Sequence, residues 1–400
     1  VRRLRVLAWT LLALVALAGC RRDTATPKVE SPPGDSGDPV ETAARKWGGL
    51  VVRDAQLKGH PIIKINLVFA KLNDDDLAKL IGLQHLKELD LYGVPISDAG
   101  VKHLRDLPAL QSLNLGFTKI SDMGLAELQG LKGLRTLILN ESKIDGSGLK
   151  GLTGLHSLTL NGTDVNDGAM RTLNENKELQ ILSLANTRIG DAGLKAIAGL
   201  TKLHTLDLSN TKISDDGMAA LRDLKSLKDL RLSGTCVGDA GLREIRHLSA
   251  LQKLALQRTS VTDKGMKELA ELKSLQELNL EGQPIGDAGL KEFSKLAQLR
   301  DLDLTASKTT DAGVAALRDL KSLEALRLSH TRIGDAGVKE LLALTDLRQL
   351  YLGSTLITDK SLKELRTLEK LTELELTDAK ISEEAVAELQ KAQPKMMIHR

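Results

Sequence analysis

The chain predicts an α/β solenoid: a horseshoe with parallel strands on its concave face and helices on its convex face. Three observations carry that expectation. The first is self-similarity. A pattern L-x-x-L-x-L-x-x-T-x-I-x-D-x-G-L-x-x-L-x-x-L-x-x recurs in units beginning at Ile62, Leu86, Leu110, Leu134, Leu155, Leu179, Leu203, Leu227, Leu251, Leu275, Leu299, Leu323, Leu347 and Leu371. These fourteen units are 24 residues apart, except for one step of 21 from Leu134 to Leu155. The second is a change of period inside each unit. Leucines at positions 4 and 6 alternate as in a strand, and those at 16, 19 and 22 follow one helix face. The third is composition. The 400 residues are 42% hydrophobic with only Trp 2, Tyr 2 and Phe 3, so Leu, Ile, Val and Ala must build the core.

The elements follow in chain order. Residues 1–19 open with basic VRRLR, and 6–17 are apolar except for Thr10. That run is shorter than the roughly 20 residues a membrane span needs, and it suits a signal-peptide core. Leu17-Ala18-Gly19-Cys20 closes it and resembles the lipobox of bacterial lipoproteins. The resemblance implies a lipid on the Cys20 thiol, cleavage before Cys20 and acylation of the new amino end. A plain secretory peptide that contains a cysteine is the alternative. Several acyl chains would make a stable anchor, at about 0.8 kcal/mol per buried CH₂.

Residues 20–40 hold Pro27, Pro32, Pro33 and Pro39 among Gly, Ser and Asp, and read as a disordered tether. Residues 41–61 read as an N-terminal cap, with a helix over 41–47, a strand over 50–53, and Trp47 shielding exposed leucines. The array occupies 62–394. Pro394 ends its last helix, and 395–400 read as a closing strand in which Ile398 is in register with Leu374.

A single unit is too small to bury its own apolar residues, so stacking must bury them. Strands repeat every ~4.8 Å while helices need ~10 Å, and the mismatch curves the array with strands inside. Thirteen steps span roughly 60 Å. The L-x-x-L-x-L-x-x-T-x-I core resembles the leucine-rich-repeat family over residues 62–394. The T-x-I-x-D-x-G-L form is similar to the repeats of bacterial leucine-rich-repeat lipoproteins, and also to those of eukaryotic F-box adaptors. No F-box-like helical segment precedes the array, and the lipobox points to bacteria. The resemblance therefore implies a non-catalytic binding scaffold in a bacterial cell envelope, lipid-anchored outside the cytoplasm.

Three conserved rows inside the array invite sharper readings. Position 9 is Thr in eight units, from Thr118 to Thr355, and its hydroxyls could satisfy buried turn amides. Position 13 is Asp in twelve units and reads as a helix-start residue rather than a calcium ligand, since calcium needs several convergent oxygens. Position 15 is Gly in ten. The short unit, Leu134–Gly154, lacks three residues of its helical part and carries Gly146 in place of Asp, so it should hold a shortened helix and perturb the stacking locally.

Composition narrows the chemistry. The 56 bases and 53 acids give +3, and the first nineteen residues alone supply that excess through Arg2, Arg3 and Arg5. A balanced remainder argues against nucleic acid. Two cysteines, Cys20 and Cys236, exclude a disulfide framework. The eight histidines show no metal-ligand spacing, and no nucleophile elbow, P-loop or dinucleotide fingerprint occurs. No catalytic residue, cofactor or metal is expected.

What remains is a surface. Positions 3 and 5 project into the concave face and together carry nine acids and four bases. Asp90, Asn114, Asp207, Arg231, Asp303, Arg327 and Tyr351 at position 5 are candidate contacts for an unknown protein or peptide. Phe69, Tyr92 and Phe117 fall at positions 8, 7 and 8 of the first three units, on one rim, and are candidate anchors because aromatics concentrate at binding hot spots. Packing of these rings against the cap is the competing expectation. A structural envelope component that self-associates is the alternative function.

Overall fold

A computed structural model describes residues 38–400. The expected signal peptide, Cys20 and most of the tether lie outside the described residues. The described chain opens with a helix at Pro39–Lys46, so the last two residues assigned to the tether are helical. The Asp38 carboxylate accepts from the Val40 amide at 2.8 Å, and Pro39 suits the first helical position. Ala43–Arg400 forms one compact unit. No helix among the described residues is long and apolar enough to cross a membrane.

Among the described residues sixteen strands form one open sheet in strict chain order. The first, Leu50–Arg53, runs antiparallel to the second, Ile62–Asn66. From there to Met397–His399 every neighbour is parallel. Each strand after the second is three residues long and centres on position 4, as in Leu89, Leu206 and Leu374. Positions 4 and 6 are buried throughout the array because both face the helical side. Each such leucine contributes roughly 1.5–3 kcal/mol of burial. At the end of the sheet Ile398 pairs with Leu374.

The short unit differs from expectation in one respect. Its only helical segment is the 3₁₀ turn Ser147–Leu149, flanked by Gly146, Gly151 and Gly154 at φ of +94°, +83° and +87°. The strands on either side nevertheless stay in register, with Leu137 opposite Leu158. The missing residues are absorbed on the convex side. Backbone hydrogen bonds fix the strand step, while the helical side is held by packing and by side-chain bonds such as those from the Asp145, Gly146 and Gly148 amides to Asp122.

Position 8 takes a left-handed backbone in all fourteen units, with φ from +53° to +72°. This turn lifts position 9 over the end of the strand. The expected amide partners for the Thr row are therefore replaced by carbonyls. Thr118, Thr211 and Thr355 each donate to the position-6 carbonyl three residues back, at 2.7, 2.6 and 2.6 Å.

The Asp row also works differently from a simple helix start. Position 12 supplies the N-cap and Asp is the first helical residue. Its carboxylate reaches into the next unit. Asp191 accepts from the Ser214 amide at 2.8 Å and hydroxyl at 2.6 Å, and Asp98 does the same with Ser121. The Gly row makes room for this. A Cβ on Gly217 would stand 2.4 Å from Asp191 Oδ1. Where Asp is missing, at Gly146, the next unit carries Ala169 instead of Gly, and its Cβ fills the space.

Candidate functional site

Position 5 faces the concave side, but most of its Asn and Asp residues also shape the turn. The position-7 amide points away from the strand ladder and needs an acceptor. Asp90 supplies one to Tyr92 at 3.1 Å, Asn114 to Gly116 at 3.0 Å, Asp207 to Ser209 at 2.9 Å and Asp303 to Thr305 at 2.9 Å. Four candidate contacts thus hold their own turns with one side-chain oxygen. Burial raises the pKa of Asp90 above its ordinary value, against the opposing pull of the Tyr92 amide bond.

The four bases of the concave rows are all paired within the face. Lys64 meets Glu88 at 2.8 Å and Lys253 meets Glu277 at 2.5 Å. Arg231 grips Asp229 at 2.9 Å with Asp207 at 3.9 Å. Arg327 bonds Asp301, and its guanidinium lies 5.2 Å from the Tyr351 ring centroid. Burial opposes the charge on Arg231, but Asp229 and Asp207 outweigh it and raise its pKa. The acids left over therefore set the sign of the face.

Tyr351 belongs to a network. Its hydroxyl donates to Glu373 at 2.9 Å, and Gln349 donates to the other Glu373 oxygen at 2.8 Å. Arg327, Tyr351 and Glu375 line a cleft of about 350 Å³ at this end. Both Glu375 oxygens are engaged, one by the Thr377 amide at 2.8 Å and the other by the Gly353 amide and Ser329 hydroxyl at 3.0 Å each.

The three rim aromatics do come together. Phe69 and Tyr92 meet edge to face with centroids 5.4 Å apart, and Tyr92 stacks on Phe117 at 6.2 Å. Phe69 is 57% and Phe117 58% exposed, with Tyr92 half-buried between them. Val68 adds a further exposed apolar side chain. Glycines seat the rings. A Cβ on Gly93 would lie 2.4 Å from the Phe69 ring, and one on Gly116 would lie 3.0 Å from Tyr92. Phe69 and Phe117 are also two of the left-handed position-8 residues, at φ of +54° and +56°. A bulky side chain there costs roughly 1–2 kcal/mol relative to Gly. Trp47, in contrast, is buried.

Two features escaped sequence reasoning. One is the left-handed row, whose Gly and Asn content at position 8 was the available signal. The other is position 10, exposed in every unit, which carries Lys71, Lys119, Lys143, Arg188, Lys212, Lys308, Arg332 and Lys380 against a single acid, Asp164. Among the described residues no group of three or more His, Cys, Asp or Glu could hold a metal ion. The Asp row is instead spent on bonds between units.

A family model described as "Leucine-rich repeat region" matches residues 63–288, and a second, "Leucine Rich repeat", matches 319–342. No curated protein is a significant match. Solved structures share the fold. An internalin of Listeria monocytogenes is 24% identical at a TM-score of 0.64, covering 84% of this chain and 92% of its own. A leucine-rich-repeat protein of Leptospira interrogans is 22% identical at 0.59, covering 93% and 100%. The ectodomain of a plant membrane receptor kinase from Arabidopsis thaliana, solved in complex with Casparian strip integrity factor 2, is 16% identical at 0.51, covering 93% and 53%.

Proposed function

The chain belongs to the leucine-rich-repeat family, and from that premise we propose that it is a non-catalytic scaffold that binds a protein or peptide ligand. The ligand lies along the concave face and engages the aromatic rim. A lipid on Cys20 holds the scaffold to a bacterial cell envelope, with the array outside the cytoplasm.

The observation that carries this reading is the rim. Two phenylalanines occupy backbone positions where Gly or Asn would be less strained, and more than half of each ring faces solvent. Strain and apolar exposure held together at one place suit a binding anchor. The plant receptor ectodomain, with the same fold and a bound factor, supports the use of such a scaffold for ligand capture. The lipobox residues Leu17–Cys20 support the anchor.

The test is site-specific photo-crosslinking in the native envelope, with the crosslinker in place of Val68. Binding predicts one saturable adduct, lost when the crosslinker sits at the convex Lys195. An adduct only with further copies of this chain, together with concentration-dependent sedimentation, would replace this reading with the self-associating structural component.

A further inference from the structure

The basic row at position 10 borders a cleft that the proposed ligand does not use. We propose that this cleft binds a phosphate monoester, held between Lys308 and Arg332. The cleft has a volume of about 530 Å³, and its wall holds Lys308, Arg332 and His330 with Thr310, Thr331 and Ser354, and no carboxylate.

Lys308 and Arg332 occupy the same position in adjacent units. Thr310 and Arg332 form a parallel backbone bridge, and the Lys308 and Arg332 side chains line the same cleft. Neither side chain has an ion pair or hydrogen bond among the described residues. Elsewhere in the row Arg188 is neutralised by Asp164 at 2.6 Å. Asp287 and Asp311, at the helix starts of adjoining units, are engaged. Asp287 accepts from the Thr310 amide and hydroxyl at 2.9 and 2.7 Å, and Asp311 accepts from the Gly334 amide at 2.7 Å. Glu375 and Asp378 line the neighbouring cleft, on the other side of His330 and Ser354. Two adjacent cations without a counter-charge repel each other.

The chemistry of the occupant follows from that arrangement. A carboxylate brings one charge and two oxygens. A phosphate monoester brings nearly two charges and three acceptor oxygens, enough to face an ammonium and a guanidinium fork together. The cleft exceeds the volume of the oxyanion, which leaves room for a sugar-sized group carrying the ester. Neither the Ser354 hydroxyl nor the His330 ring is bonded elsewhere among the described residues, and both can meet that group.

The experiment is calorimetry on the full chain in detergent micelles, with glucose 6-phosphate, inorganic phosphate and acetate as probes at fixed ionic strength. The proposal expects one saturable site for glucose 6-phosphate, competed by phosphate, with acetate at least tenfold weaker. Lys308→Ala with Arg332→Ala should weaken binding at least tenfold. Lys143→Ala with Lys212→Ala removes the same charge elsewhere in the row and should change affinity less than twofold. All four side chains are exposed, and a shared thermal midpoint checks folding; Lys308→Gln with Arg332→Gln repeats the test if the alanine pair unfolds. Equal weakening by both pairs would reduce the effect to diffuse charge and overturn the proposal. Absence of saturable binding by either phosphate probe would overturn it too, and binding of phosphate without the sugar ester would overturn the ester assignment.

Discussion

Asp191 and Gly217 should behave as one unit although they lie in neighbouring repeats. Gly217→Ala places a Cβ 2.4 Å from Asp191 Oδ1 and 3.0 Å from its Cγ. The carboxylate cannot simply swing aside, because it accepts two hydrogen bonds from Ser214 at 2.8 and 2.6 Å. Helix propensity alone would reward Ala over Gly by about 1 kcal/mol. Displacing the carboxylate costs up to two charge-assisted bonds at about 1.5–3 kcal/mol each. The net expectation is a loss of about 1–3 kcal/mol. Asp191→Ala alone also destabilises, by about 1–3 kcal/mol, since the Ser214 amide loses its acceptor. In that background Gly217→Ala should no longer destabilise and should gain up to about 1 kcal/mol of helix propensity, which gives a coupling of at least ~1 kcal/mol. Gly146 with Ala169 is the same exchange already present in the sequence. Urea unfolding followed by circular dichroism measures the cycle, and amide exchange localises it, since long arrays depart from two-state behaviour. Additive effects of the two substitutions would mean that the Asp191 carboxylate and a Cβ at position 217 do not interact.

Three further outcomes are expected. Cys20→Ser should move the protein from the detergent phase to the soluble fraction on phase partitioning; retention with membranes would mean that Cys20 is not the anchor. Amides over Gly146–Gly154 should exchange faster than those of neighbouring helices, because a three-residue turn and three left-handed glycines replace a helix, and equal protection would contradict this. Asp359, whose pKa is lowered from 3.8 by the Ser382 amide and hydroxyl, should support stability above about pH 4. Its folded pKa lies below its unfolded one, so that contribution is lost as pH falls through the folded value. Thermal midpoints at pH 7 and pH 3 check it, and Asp359→Asn should narrow the difference between the two.

The repeat made the architecture legible because fourteen copies average out local ambiguity. Leu89, Leu206 and Leu374 mark the same strand position on the same period, and no tertiary information is needed to align them. What the sequence hid was partnership across the period. The Asp row looks like a set of helix starts until Asp191 is seen to bond Ser214 in the next unit. The position-5 residues look like a free surface because an Asx turn leaves no mark on periodicity; Asp90 and Asn114 lie on the concave strands and also hold the turn. Tyr351 looks solitary in one dimension, and its companions Arg327 and Glu373 lie one repeat before and after it. The rim was readable because aromatics are rare enough in this chain for three of them to stand out. The position-10 cations were hidden by a nearly neutral total charge, since the acids of positions 3, 5 and 13 cancel them in any sum.

In the proposed function the aromatic rim anchors the ligand. The most direct measurement is the dissociation constant of the partner recovered by crosslinking at Val68, for the parent chain and for Tyr92→Ala with Phe117→Ala. Neither ring is in the buried core, so the array should keep its thermal midpoint. Loss of two hot-spot rings should weaken binding by more than about 1 kcal/mol, or more than about fivefold. Unchanged affinity in a folded double variant would contradict the account.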